Sequence, residues 1–170
     1  KKAFPEIGIV RSIPVPPAGV APDFPCLDLL RSLEEVSDFL LIDTWLGKEP
    51  VHGFVGITGT PVDLERAKML VLESHIPVLL AGGLSPENVF AIVVEVVPAG
   101  ADSCTRTNQV DACGHAIRFK KDFVKVEKFV KEIRRAHLAL PLRREELMQH
   151  VARLTEELQL RAAALPAHSV

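Results

Sequence analysis

Apolar positions along the chain alternate between a two-residue and a three-to-four-residue spacing. The segment IGIVRSIPV (7–15) reads as a strand and runs into a proline-rich loop, PVPPAGVAPDFP. CLDLLRSLEEV (26–36) repeats its apolar residues at helical spacing through Leu27, Leu30, Leu33 and Val36. DFLLIDTW (38–45) is a buried strand that ends on Asp43, and the loop GFVGITGT follows it. A helix is expected over PVDLERAKMLVLESH (61–75), with Pro61 near its first turn. PVLLA (77–81) is the next strand, and SPENVFAIVVEVV (85–97) the next helix, with Ser85 as N-cap and Pro86 at its first position. AGADSCT (99–105) supplies a weak strand, and NQVDACGHAIRFKKD (108–122) reads as loop. DFVKVEKFVKEIRRAH (122–137) is amphipathic, with basic residues in its last turn, where the helix dipole favours them. Beyond Pro141, Leu147, Val151, Leu154, Leu158 and Leu165 form a heptad-like row that suggests a helix seeking a partner surface.

Four strand–helix pairs in succession imply a parallel sheet with helical crossovers. Four such units fit part of a doubly wound sheet or one half of a (β/α)₈ barrel, and pattern alone leaves both open. Composition narrows the function. A net charge of -2 with dispersed Lys and Arg gives no basic field for nucleic acid, and one Trp without Tyr offers no stacking platform for single strands. No apolar run approaches the roughly 18 residues of a membrane span. Pro5 and Glu6 interrupt the first residues, which do not read as a secretory signal. Cys26, Cys104 and Cys113 are odd in number and widely spaced, which points to a reducing, cytoplasmic setting. The six histidines show no metal-ligand spacing with one another or with cysteine, so no metal site is expected.

The junction PVLLAGGLSPENV (77–89) carries the clearest chemical signal. A strand, two glycines and a helix start bring backbone N–H groups against an anion, with the helix dipole behind them. A tight turn that needs glycine only for its backbone geometry is the alternative.

This junction resembles the seventh-strand segment of the phosphoribosylanthranilate isomerase family, and other segments resemble that family in the same order. DFLLIDT is similar to its sixth strand, GITGTPVDL to the loop after it, VPAGADSCT to the approach to strand eight, and KKDFVKVEKFV to its final helix. The likeness runs over residues 5 to 136. It implies a (β/α)₈ barrel of which this chain carries the C-terminal (βα)₄ half (1–137), followed by a helical extension (138–170). It also implies an Amadori rearrangement of N-(5′-phosphoribosyl)anthranilate, with no cofactor and no metal. Asp43 falls where the family has its general acid. Gly82, Gly83, Asp102, Cys104, Thr105 and Arg106, with Gly59 and Asp63, fall where it holds substrate and phosphate.

Departures from the family accompany the matches. Ile57 replaces a loop glycine, Thr60 a loop lysine, and Val62 and Leu64 two aromatic residues; Cys104 and Thr105 replace serines, and Arg106 a glycine. The family's general base is a Cys on its first strand, and none of the three cysteines here takes that place. The alternative is a non-catalytic phosphosugar-binding or structural half-barrel. In either case the expected partners are a phosphorylated sugar and, across the open strand edges, a second copy, a partner chain or the C-terminal helix.

Overall fold

The structure is a computed structural model that describes residues 4, 6–48, 55–56 and 58–141. Strand β1 (Val10–Val15), helix α1 (Cys26–Glu34), β2 (Phe39–Thr44), α2 (Leu64–Glu73), β3 (Val78–Leu80), α3 (Val89–Val96) and β4 (Gly100–Ala101) follow in turn. A 3₁₀ turn (Thr105–Thr107), β5 (Asn108–Val110) and β6 (Ala116–Lys121) come next. The last described helix, α4, covers residues 123–141. The heptad-like row from Leu147 to Leu165 lies outside the described residues, as does Ile57.

The four long-spaced strands pair in parallel in the order β1-β2-β3-β4. A doubly wound sheet reverses its strand order at a switch point. Here each strand lies beside its predecessor, so right-handed crossovers place every helix on one side, as in the arc of a barrel. Alternation along the strands then sorts the faces. Ile13, Ile42 and Leu80 are cross-strand neighbours in register, and all three are fully buried beneath the helices. Cys26 and Leu30 of α1, Ala67 and Leu70 of α2, Val89, Val93 and Val96 of α3, and Phe129 and Ala136 of α4 complete that core. The opposite face, which no described helix covers, carries the paired Val10 and Phe39, 52% and 40% exposed, and the paired Leu41 and Leu79. Because Ile42 and Thr44 point into the core, the residue between them, Asp43, is turned to that opposite face.

Polar contacts hold the helices in sequence. Asp63 caps α2, its Oδ1 accepting from the N–H groups of Glu65 and Arg66. Arg66 in turn donates to the carbonyls of Val20 and Ala21, which gathers the proline-rich loop over the top of α1. Lys68 of α2 meets Glu95 of α3 at 2.6 Å, and the Arg135 guanidinium of α4 stacks 3.8 Å above the Phe90 ring of α3.

Three sequence expectations are corrected. Helix α3 begins after Asn88, not Ser85. The Ser85 Oγ accepts from Glu87 N–H while Asn88 Oδ1 accepts from Ser85 N–H, so the two side chains build a turn before the helix. Residues 108–122, read as loop, form the antiparallel hairpin β5–β6. Its pattern hid it, because most of its residues are exposed on both faces and no apolar alternation results. The weak strand over 99–105 is only two residues long and gives way to the 3₁₀ turn.

Candidate active site

The C-terminal ends of β2, β3 and β4 open into one cleft, lined by Asp43, Thr58, Gly59, Gly82, Gly83, Leu84, Asp102, Cys104, Thr105 and Arg106. Seven of the eight residues expected to bind substrate are among them. The eighth, Asp63, is not: it is occupied as the cap of α2.

Asp43 is half-buried on the inner face. Its Oδ1 accepts a 2.7 Å hydrogen bond from Thr44 N–H. Burial raises its pKa from 3.8 to about 6, the Thr44 bond opposes the rise, and the nearby Asp102 charge adds to it. The buried Gly56, at φ +88°, packs directly on the Asp43 carboxyl, where any Cβ would overlap the side-chain oxygens. Only glycine leaves space for the acid.

The two glycines of the junction face the chain itself. A Cβ on Gly82 would lie 2.5 Å from Thr44 Oγ1 and 2.8 Å from Val62, and one on Gly83 would lie 2.8 Å from the Thr60–Pro61 backbone. Their positive φ values, +90° and +68°, fold the turn against the loop at 60–62. Tight packing therefore accounts for the missing side chains. The turn still presents the N–H groups of Gly83 and Leu84, for which no acceptor exists among the described residues.

Around this turn the loops are tied together. Thr44 Oγ1 donates to Thr60 O (2.9 Å), and Ser103 Oγ donates to Leu84 O (2.6 Å). Arg106 Nε donates to Gly59 O across the cleft mouth (3.1 Å). Lys121, from the far end of the hairpin, sends its Nζ to the carbonyls of Ser103 and Cys104 and to Thr107 Oγ1. Thr44, Ser103 and Lys121 escaped the sequence reading. Their contacts span 14 to 19 residues of chain, and no local pattern announces them. Of the cysteines, Cys104 lines the cleft, Cys113 lies in the hairpin turn, and Cys26 is buried in α1, where burial pushes its thiol up.

No protein-family model matches the chain. Individual relatives do. An N-(5′-phosphoribosyl)anthranilate isomerase of Methanosarcina acetivorans is 32% identical over 131 residues, covering 76% of this chain and 52% of that protein. A second, from Methanosarcina mazei, is 34% identical over 143 residues, covering 79% and 55%. The structure of N-(5′-phosphoribosyl)anthranilate isomerase from Pyrococcus furiosus superposes with a TM-score of 0.51 at 26% identity, over 79% of this chain and 54% of that one. The chain is a relative of the phosphoribosylanthranilate isomerases. It spans about half the length of the curated isomerases it matches. Against that family the strand order has a plain meaning: four parallel βα units in unbroken order make half the circumference of an eight-stranded barrel. The cleft then lies at the C-terminal ends of the strands, the face that carries the active site in barrel enzymes.

Proposed function

We propose that this chain supplies the acid and phosphate-binding half of a phosphoribosylanthranilate isomerase-type site, in a cytoplasmic protein of tryptophan biosynthesis. The observation that carries the reading is Asp43, held at a strand end with a pKa of about 6, beside a turn whose Gly83 and Leu84 N–H groups have no acceptor among the described residues. A carboxyl of that pKa donates and recovers a proton near neutrality, as a general acid must. In the proposed reaction Asp43 protonates the furanose ring oxygen as the C1–O bond opens to an imine. A base then removes the C2 proton, and the enol relaxes to the aminodeoxyketose. The phosphate sits between the Gly82–Leu84 turn and the Cys104–Arg106 loop, where backbone N–H groups and the Arg106 guanidinium oppose its charge. The base is assigned to a second half-barrel, since Cys26 and Cys113 lie away from the cleft and Cys104 stands in the phosphate loop.

Ribose 5-phosphate titrated into labelled chain should shift the amides of Gly83, Leu84, Cys104, Thr105 and Arg106 first. Shifts confined to the N-terminal ends of the strands would remove the phosphate site. Isomerase turnover is expected only when the N-terminal half of a related barrel is added. Asp43→Asn should then lower it by roughly 10²- to 10⁴-fold while phosphate affinity holds. Full phosphate binding with no turnover after complementation would instead identify a binding module.

A further inference from the structure

The hairpin that the sequence pattern concealed brings together three groups that the cleft does not use. In VDACGHA, Asp111, Cys113 and His115 stand at alternate positions of the turn joining β5 to β6. Asp111 N–H donates to His115 O (2.9 Å), and Gly114 N–H donates to Asp111 O (3.0 Å), which closes the turn. Gly114, at φ +83°, supplies the left-handed residue that the reversal needs. The Asp111 carboxylate organises the loop from inside. Its Oδ1 accepts from both Cys113 N–H and His115 N–H, each at 2.9 Å. Its other oxygen, Oδ2, faces His115 Nδ1 at 3.7 Å. One oxygen therefore folds the turn while the second stays open beside an imidazole.

The donor atoms of Asp111, Cys113 and His115 all lie within 4.8 Å of one another, and all three residues are exposed. We propose that this turn is a three-ligand site for a thiophilic divalent cation, of which zinc is the best match. Bonds of roughly 2.0–2.3 Å from a tetrahedral zinc to oxygen, nitrogen and sulfur place ligand atoms some 3.5 Å apart. The proposed site therefore calls for side-chain rotations that draw the donor atoms together from within 4.8 Å, with Asp111 Oδ2 as ligand while its Oδ1 keeps the turn. The donor chemistry selects the ion. A thiolate and an imidazole disfavour calcium and magnesium, which take oxygen ligands, and suit zinc or cobalt. Binding forms one metal–sulfur bond and releases the Cys113 thiol proton to solvent. The fourth position faces water.

The signal was present in sequence as D-x-C-x-H. It passed unrecognised because ligand spacings are usually sought as Cys-x-x-Cys or at helical intervals, whereas a tight β-turn brings i, i+2 and i+4 together. Gly114 and Ala116 also line a second pocket, which adjoins the Asp43 cleft at Gly59, Thr105 and Arg106, so the cation would sit on the rim of that second pocket.

Cobalt(II) added to the reduced full chain reads the site without reference to enzymatic activity. We expect a thiolate-to-cobalt charge-transfer band that saturates at one equivalent and is displaced by zinc. The band should persist in Cys104→Ser, vanish in Cys113→Ser, and need at least tenfold more cobalt in His115→Ala and in Asp111→Asn, which keeps the turn's amide acceptor. Zinc should also slow amide exchange across 109–116. Absence of the band in the parent chain overturns the assignment. So does its survival in Cys113→Ser, or unchanged affinity in His115→Ala.

Discussion

Asp43 owes its chemistry to its neighbours in the chain. Ile42 and Thr44 are drawn into the core, which turns the carboxyl to the inner face, and Gly56 closes over it. The end of a buried strand marked this residue in sequence, and the family likeness gave it a role. The end of a buried strand is where desolvation raises a carboxyl pKa. The neighbours that contribute, Gly56 over the carboxyl and the charge of Asp102, were not legible, because both are long-range facts. The glycines were half legible: their need for positive φ showed, but the loop packed against them did not. A raised carboxyl pKa makes a definite claim about stability. Between pH 3.8 and 6 the folded chain holds a proton that the unfolded chain has lost, so this group's contribution falls as pH rises through that window. Moving a buried carboxyl from 3.8 to about 6 corresponds to roughly 3 kcal/mol, and partial exposure reduces that to the order of 1 kcal/mol. Asp43→Asn removes the charge and keeps an acceptor for Thr44 N–H. We therefore expect the variant to melt above the parent at pH 7, with the gap closing near pH 4. Equal melting points at pH 7 would show that Asp43 is not held against its charge.

At the level of elements, the apolar periodicities located every strand and helix of the sheet, with boundaries off by a few residues. They failed where side chains had little core to face. The β5–β6 hairpin is held by its backbone ladder and by the long side chains that leave it, and neither leaves a hydrophobic trace. Yet this element supports the site. Lys121 spans from β6 to two carbonyls and a hydroxyl in the 103–107 segment, and Lys125 reaches the Asn108 carbonyl from α4. Lysine here acts as a strut whose ammonium, together with the Thr107 hydroxyl, satisfies the part-buried carbonyls of Ser103 and Cys104 beyond the short β4. Replacing it with Met keeps the apolar stem and deletes the hydrogen bonds, which for a charged donor are worth about 1.5–3 kcal/mol together with the stranded acceptors. Lys121→Met should thus lower stability by about 2 kcal/mol in a denaturant titration and weaken ribose 5-phosphate binding. Lys120→Met, at an exposed neighbouring position, should change either by little, within about 0.5 kcal/mol. Equal effects from both substitutions would mean that the strut does not hold the loop.

For the molecule as a whole, the question left open by sequence was how four parallel strands are arranged, and strand order answered it. Local periodicity does not encode order, since the same alternation serves a reversing sheet and an advancing one. An advancing arc has a consequence that a reversing sheet lacks: among the described residues, no helix lies on its inner face. Val10 and Phe39 stand paired and half-exposed there, Leu41 and Leu79 lie beside them, and β1 and β4 bound the described sheet. Strand edges unpaired among the described residues and an apolar inner face are both costly in water, and closure of a barrel removes them together. A second (βα)₄ unit has the matching shape, so we expect the isolated 170-residue chain to associate as a homodimer through this face. Phe39 tests the face without disturbing the core, because 40% of it is already exposed in the single chain. Phe39→Glu places two charges in the proposed shared interior and should shift the mass in light scattering from dimer to monomer, with far-ultraviolet circular dichroism unchanged. Adding the N-terminal half of a related isomerase should likewise displace one copy and give a mixed barrel. A parent chain that stays monomeric at high concentration and binds no such half would mean that the inner face is covered from within. The segment beyond residue 141 would then be the one to remove next.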